Sequence, residues 1–148
     1  LKMPSACWNE ERCAALRFIG ACYLYKGDPN TGKRKLFQAA AECPTVREPW
    51  LALARLGYRT SDWPLCFWAA QQGLKVTVRS GSYLLEPEAW GAVLHDLGAI
   101  ACYRLGMYEK SVAYAEEACR LNPNDERLKN NLVLCKEKLE KEAKGASS

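Results

Sequence analysis

Residues 16–28 read LRFIGACYLYKGD and residues 50–62 read WLALARLGYRTSD, two stretches 34 residues apart that agree in kind. Leu16 aligns with Trp50, Ile19 with Leu53, Gly20 with Ala54, Gly27 with Ser61 and Asp28 with Asp62. Tyr23 against Gly57 is the place that differs. Apolar residues three and four apart, then a turn residue and an Asp, predict a helix, a tight turn and a second helix capped by the Asp. Along the second helix Gly32 aligns with Cys66, Leu36 with Ala70 and Ala39 with Gly73. Mostly small side chains there let the two helices of a pair approach closely. Pro44 closes the first unit, since proline cannot continue a helix interior.

A third unit appears after a shift of 45 residues. Ala54 maps to Ala99, Asp62 to Met107, Trp63 to Tyr108, Cys66 to Ser111, Ala70 to Ala115 and Gly73 to Ala118. Gly106 precedes the second helix of that unit, and Pro123 stands where Pro44 stands in the first. The longer shift places about eleven extra residues between Val78 and Gly91.

A 34-residue helix–turn–helix period resembles the tetratricopeptide repeat. The resemblance spans Leu16 to Pro123 and implies an all-α fold, a right-handed stack of antiparallel helix pairs. Leu16 and His95 stand where that family's pattern has its first Trp, and Gly98 sits one place before the expected small residue, Ala99. The expected organisation is one domain over 1–148, with repeats at 13–46, 47–78 and 92–124. An inserted loop falls at 77–87, a capping helix at 125–142 and a disordered tail at 143–148. Helices are predicted at about 10–26 (after Asn9 as N-cap), 30–43, 47–59, 63–76, from Pro87 to 105, and 108–121. In the capping helix Leu128, Leu132, Cys135 and Leu139 form one apolar stripe, while Leu134 lies off it. Three repeats plus a cap suffice to fold, so a dimer is allowed and not required.

A narrower resemblance covers Arg47 to Asn131. REPWLALARLGY, SDWPLCFWAA, SYLLEPEAWG, HDLGAIACYRLG and NPNDERLKNN look like the helical region C-terminal to family 2-type glycosyltransferases, inverting sugar transferases of bacteria and their viruses. This resemblance implies a catalytic domain before Leu1 and, through that parent enzyme, a glycan or polypeptide acceptor. The first residue is Leu1 and no secretion signal follows it, so a segment of a longer protein is expected, with a processed product as the alternative.

Composition narrows the function classes. Lys plus Arg exceeds Asp plus Glu by 21 − 17 = 4, a mild and dispersed excess that does not indicate a nucleic-acid binder. No apolar run is long enough for a membrane span. The eight cysteines contain no Cys-x-x-Cys. Their reading is small apolar packing residues in a reducing, cytoplasmic compartment rather than a disulfide framework. With His95 as the single histidine, no metal site is indicated.

Chemistry-bearing motifs are weak. GDPNTGKR, Gly27 to Arg34, approaches a phosphate-binding loop, but Arg34 replaces the Ser or Thr that ligates Mg²⁺ and a helix precedes it where a strand is needed. His95 and Asp96 are adjacent on a helix and diverge by about 100°, so they cannot orient each other. No catalytic residue, cofactor or Asp-x-Asp site is expected, and the chain is read as a non-enzyme.

The first helices of the repeats should line a concave face. The register assigns to it Arg17, Ala21, Leu24 and Tyr25; Glu48, Leu51, Arg55, Tyr58 and Arg59; and Val93, Asp96, Ile100, Tyr103 and Arg104. Tyr103–Arg104 repeats Tyr58–Arg59 after 45 residues. Tyr and Arg suit binding surfaces, and the Arg fork suits carboxylates. One reading is a groove of Arg17, Tyr25, Arg55, Tyr58, Arg59, Asp96, Tyr103 and Arg104 for an extended, acidic protein or peptide. The other is that the tyrosines pack between helices and the arginines pair with Glu48 and Asp96. Repeat domains of this family that grip acidic chaperone C-termini use Lys and Asn where this chain has Arg17, Ala21, Leu51 and Arg55, so that adaptor type is not indicated. In the insertion, Tyr83, Leu84 and Leu85 either form a binding loop or pack over the junction of the second and third units. The expected function is a non-catalytic domain that positions an acceptor or mediates protein contact in a glycosyltransferase. The alternative is a stand-alone adaptor.

Overall fold

The computed structural model describes residues 5–79 and 87–146. Among them it forms helices α1 (Ser5–Tyr25), α2 (Pro29–Glu42), α3 (Glu48–Arg59), α4 (Trp63–Leu74), α5 (Val93–Arg104), α6 (Tyr108–Leu121) and α7 (Glu126–Ala146), with no strand. A 3-10 turn, Pro87–Trp90, precedes α5. α1 packs on α2, α3 on α4 and α5 on α6, while α2–α3 and α4–α5 contacts join the pairs and α7 lies on α6. This is an all-helical, right-handed stack of antiparallel pairs.

The period seen in the sequence is built into the turns. The first helices end at Tyr25, Arg59 and Arg104, and the second helices begin at Pro29, Trp63 and Tyr108, all related by 34 and then 45 residues. Each turn has one residue in the left-handed region: Gly27 (φ 84°), Ser61 (φ 56°) and Gly106 (φ 79°). The next amide reaches back to the helix: Asp28 N to Tyr23 O at 2.9 Å, Asp62 N to Gly57 O at 2.8 Å and Met107 N to Cys102 O at 2.9 Å. Such bonds satisfy carbonyls that the helix end leaves open. Asp28 and Asp62 then cap α2 and α4, each accepting a backbone N–H at 3.2 Å.

The core lies between the layers. Leu51, Leu53 and Leu94 are fully buried among Ala54, Cys66, Ala69, Ala70 and Ala101. The small residues permit backbone contact. A Cβ on Gly57 would fall 2.6 Å from Cys66 N and 2.9 Å from Cys66 Cα, so α3 and α4 touch main chain to main chain there. Gly32, Cys66 and Ser111 occupy one repeat position. Ser111 is fully buried, its hydroxyl shared between the Ala99 carbonyl oxygen at 2.9 Å and Cys135 Sγ at 3.0 Å, which fastens α7 to the last pair.

Four details differ from the sequence reading. Asn9 lies inside α1 and its Oδ1 accepts from Arg12, because no Pro or Gly interrupts the chain between Pro4 and Gly20. Pro87 opens a 3-10 turn rather than α5, since Gly91 disfavours continuous helix before Val93. α4 stops at Leu74 and α7 continues to Ala146 on a run of strong helix formers. The predicted loop residues Tyr83, Leu84 and Leu85 lie outside the described residues.

Of the eight cysteines, the seven whose side chains are described are free thiols, and Cys13, Cys43, Cys66, Cys102 and Cys135 are buried in helix interfaces. Burial pushes the Cys13 and Cys102 thiols up to about 11 and Cys66 to about 12, so they stay protonated and inert near neutrality. Among the described residues no helix is long and apolar enough to cross a membrane.

Candidate functional site

The first helices of the pairs, α1, α3 and α5, together with α7, present one face. Where α1 meets α3, a hollow of about 320 Å³ is lined by Ala14, Arg17, Phe18 and Ala52. Where α5 meets α7, a cleft of about 160 Å³ is walled by Ile100, Tyr103, Leu134 and Cys135, with Arg104 and Asn131 also lining it. A larger hollow of about 390 Å³ lies by Pro44, Trp50, Lys75 and Val78 and contains none of the predicted residues.

The predicted residues divide by what they touch. Glu48 and Leu51, assigned to the open face, are 2% and 0% exposed, because α3 is pressed into the main core there. Arg17 is half-buried and faces Cys13, whose thiol its charge and hydrogen bond pull down against the larger effect of burial. Tyr25, last residue of α1, is 94% exposed. Arg55 is engaged by Glu88 of the 3-10 turn in an exposed ion pair. Asp96 is buried and accepts from Arg127 of α7 at 2.7 Å. The arginines foreseen as partners of Asp96 and Glu48 are therefore not the ones that hold Asp96. That bond raises the Arg127 pKa. Arg59 is exposed and makes no hydrogen bond, ion pair or ring contact among the described residues.

Tyr58 and Tyr103 take the same pose after 45 residues. Tyr58 meets Trp63 edge-on at 5.9 Å and 75°, and Tyr103 meets Tyr108 at 5.8 Å and 75°. A cation from the next unit sits over each outer ring: Arg104 at 5.4 Å from Trp63, and Lys138 of α7 at 5.7 Å from Tyr108. Exposed cation–π contacts stabilise by about 0.5–1 kcal/mol, so these cations remain available to an anion. Pro29 occupies the corresponding place in the first pair, which leaves Arg59 without a ring.

Sequence reasoning missed the contribution of α7. A further shift of 34 from Val93, Leu97, Ile100 and Arg104 gives Arg127, Asn131, Leu134 and Lys138, so the last helix repeats the first-helix register. The signal was present; the polar composition of α7 masked it as a cap. Arg47 was also missed. It is 8% exposed, donates to Val76 O at 2.8 Å and Ala89 O at 3.2 Å, and lies 4.0 Å from the Trp90 ring centre, so it clamps both ends of the inserted segment.

The decoy motifs resolve into packing. Gly27 is the turn residue, Gly32 is buried against Leu24, and Lys33 lies 3.7 Å from Asp62. His95 packs on Tyr114, and burial lowers its pKa despite Glu117 nearby.

The stack of turn-capped helix pairs defines a protein of the tetratricopeptide-repeat fold. Among solved structures it is similar to the first such domain of Spaghetti (RPAP3) bound to the HSP90 peptide SRMEEVD, at TM-score 0.71 and 15% identity over 88% of this chain and 94% of that one. It is likewise similar to the C-terminal repeat-containing domain of a Plasmodium falciparum FK506-binding protein, at TM-score 0.71, 18% identity and 92% and 93% coverage. MamA gives TM-score 0.67 and 17% identity over 92% of this chain and 81% of that one. No family model and no curated protein matches the sequence.

Proposed function

We propose that this chain is a non-catalytic binding domain whose α1–α3–α5–α7 face holds an extended, acidic segment of another protein. The observation that carries the proposal is the uncompensated Arg59 beside Tyr58, repeated as Arg104 beside Tyr103. Guanidinium groups and aromatic rings in register form a surface suited to carboxylates on a peptide backbone. The similar Spaghetti (RPAP3) domain is described with an acidic-ended peptide, which makes such a ligand a reasonable first probe. The groove set is Arg17, Tyr25, Arg55, Tyr58, Arg59, Asp96, Tyr103 and Arg104, with Asp96 acting by holding Arg127 and Arg55 available on release from Glu88.

The test is fluorescence anisotropy with a labelled Glu-rich peptide and its Gln counterpart. The wild-type chain is expected to prefer the acidic peptide and to lose it as salt rises. Arg59→Glu with Arg104→Glu should weaken binding roughly tenfold or more. Equal affinity for both peptides, or an unaffected double variant, would remove the acidic-partner reading.

The narrower reading places this domain after a sugar-transferase catalytic domain in one polypeptide, in a reducing compartment. It rests on the strings between Arg47 and Asn131. Native mass with peptide mapping upstream of Leu1 decides it. Peptides from a sugar-nucleotide domain support it, and a native chain of about this mass favours the stand-alone adaptor.

A further inference from the structure

From Cys13 to Tyr25 the residues CAALRFIGACYLY of α1 carry a single charge, Arg17. A helix that is apolar all round needs cover on every side. One side has it: Cys13, Leu16, Gly20 and Leu24 turn inward, where α1 packs on α2 and touches α3. The opposite side is open. Glu11, Ala15, Phe18, Cys22 and Lys26 follow at intervals of four and three, which sets them on one face at about 100° per residue. Phe18 is 72% exposed and Ile19 beside it 40% exposed. Ala15 and Lys26 are exposed as well, and the Lys26 amide continues the helical pattern by donating to the Cys22 carbonyl oxygen at 3.0 Å. At the other end of the stack, α7 turns Lys129, Lys136 and Glu140 to water, as a terminal helix should. α1 instead has the outer face of a helix with a neighbour.

We infer that this face pairs with the same face of a second copy of the chain, α1 against α1, antiparallel across a two-fold axis between Phe18 and Ile19. The sequence is self-complementary about that point. Glu11 and Lys26 lie equally far to either side of it, and so do Ala15 and Cys22. An antiparallel two-fold therefore sets Glu11 against Lys26 of the partner subunit at both ends of the contact. It sets the small Ala15 against Cys22 of the partner subunit and brings the two Phe18 rings together at the centre. A parallel pairing would set each of these charges against its own copy, which is unfavourable at both ends. Arg12, at the edge of the face, is engaged by Glu42 of α2. The Lys26 ammonium lies 6.0 Å from the Tyr23 ring, an exposed contact that leaves it open to a carboxylate. One helix face is small beside a standard interface of about 1,200–2,000 Å², so the dimer should be weak and concentration-dependent. The pairing stands apart from the acidic-partner site, whose Arg59 and Arg104 lie on α3 and α5.

Sedimentation velocity of the full chain under reducing conditions, from micromolar to millimolar concentration, tests the pairing. The wild type should pass from monomer to dimer. Phe18→Glu should stay monomeric throughout with unchanged helicity, since the ring it replaces is exposed. Glu11→Lys and Lys26→Glu should each weaken the dimer roughly fivefold, and the two together should restore it. Diamide oxidation of Ala15→Cys should trap a disulfide-linked dimer through Cys22 of the partner subunit, and the same variant with Cys22→Ala should not be trapped. In the wild type the two copies of Cys22 would stand about 10 Å apart along the helices, too far to bridge. A wild type that remains monomeric at every concentration would overturn the pairing, and a dimer indifferent to Phe18→Glu would overturn the assignment to this face. Failure of the combined charge exchange to restore the dimer, or a Cys22-dependent cross-link in the wild type, would overturn the antiparallel register.

Discussion

At Ser61 the chain does with a side chain what Gly27 and Gly106 do without one. Its φ of 56° sits in the left-handed region, where a Cβ crowds the backbone. Its two counterparts are glycines with open space around the missing Cβ. The three turns are otherwise alike, so the conformation alone should set the difference. Ser61→Gly is expected to stabilise the fold, and Gly106→Ala to destabilise it, each by about 1 kcal/mol. Thermal unfolding of the two variants checks this. A Ser61→Gly variant that melts below the wild type would show that the hydroxyl, not φ, matters there. The sequence disclosed this position: Ser61 aligned with Gly27, and turn residues with φ above zero are favourably glycine.

Between elements, Arg47 carries more than its place before α3 suggests. Its guanidinium bonds to a carbonyl just beyond α4 and to another in the turn before α5, and it stacks on Trp90. Burial lowers its pKa, yet it stays charged because the ordinary value is so high. Hydrogen bonds to charged groups contribute about 1.5–3 kcal/mol, and their loss here strands two carbonyls near a long insertion. Arg47→Ala should therefore lower stability by roughly 2–3 kcal/mol and expose the amides of α4's end and α5's start to hydrogen exchange first. Uniform loss of protection across all helices, with no early opening at that junction, would show that Arg47 is not a local clamp. Nothing in the sequence marked this residue, since both its acceptors are backbone atoms and their positions depend on the path of the insertion.

Across the molecule, the cysteines link stability to pH. Cys13 lies in the first pair and Cys66 and Cys102 lie near each other where α4 packs on α5, and burial raises all three thiols from 9.0 to about 11, 12 and 11. The folded state thus holds their protons more tightly than the unfolded chain does. Their contribution is fully present below pH 9 and is lost as pH rises through about 11 to 12. Urea unfolding midpoints of the wild type should fall between about pH 9 and pH 11, and Cys13→Ala, Cys66→Ala and Cys102→Ala combined should flatten that dependence. Alkylation of these thiols should follow unfolding rather than precede it. Rapid labelling in native conditions would contradict their burial.

Local sequence determined the helices, their turns and their order. Helix periodicity, small residues at fixed places and a turn residue before Asp28 or Asp62 all act within one helix pair, and repetition at 34 residues makes a weak pattern legible. The exposure of Tyr25, Tyr58, Arg59 and Arg104 was legible too, because the register that built the core also names what faces away from it. Tertiary packing alone decided the rest. It buried Glu48 and Leu51, gave Asp96 to Arg127 and Arg55 to Glu88, and left Arg59 open. Those outcomes depend on distances between helices far apart in sequence, and a charge acquires its role only when the nearest opposite charge is in place.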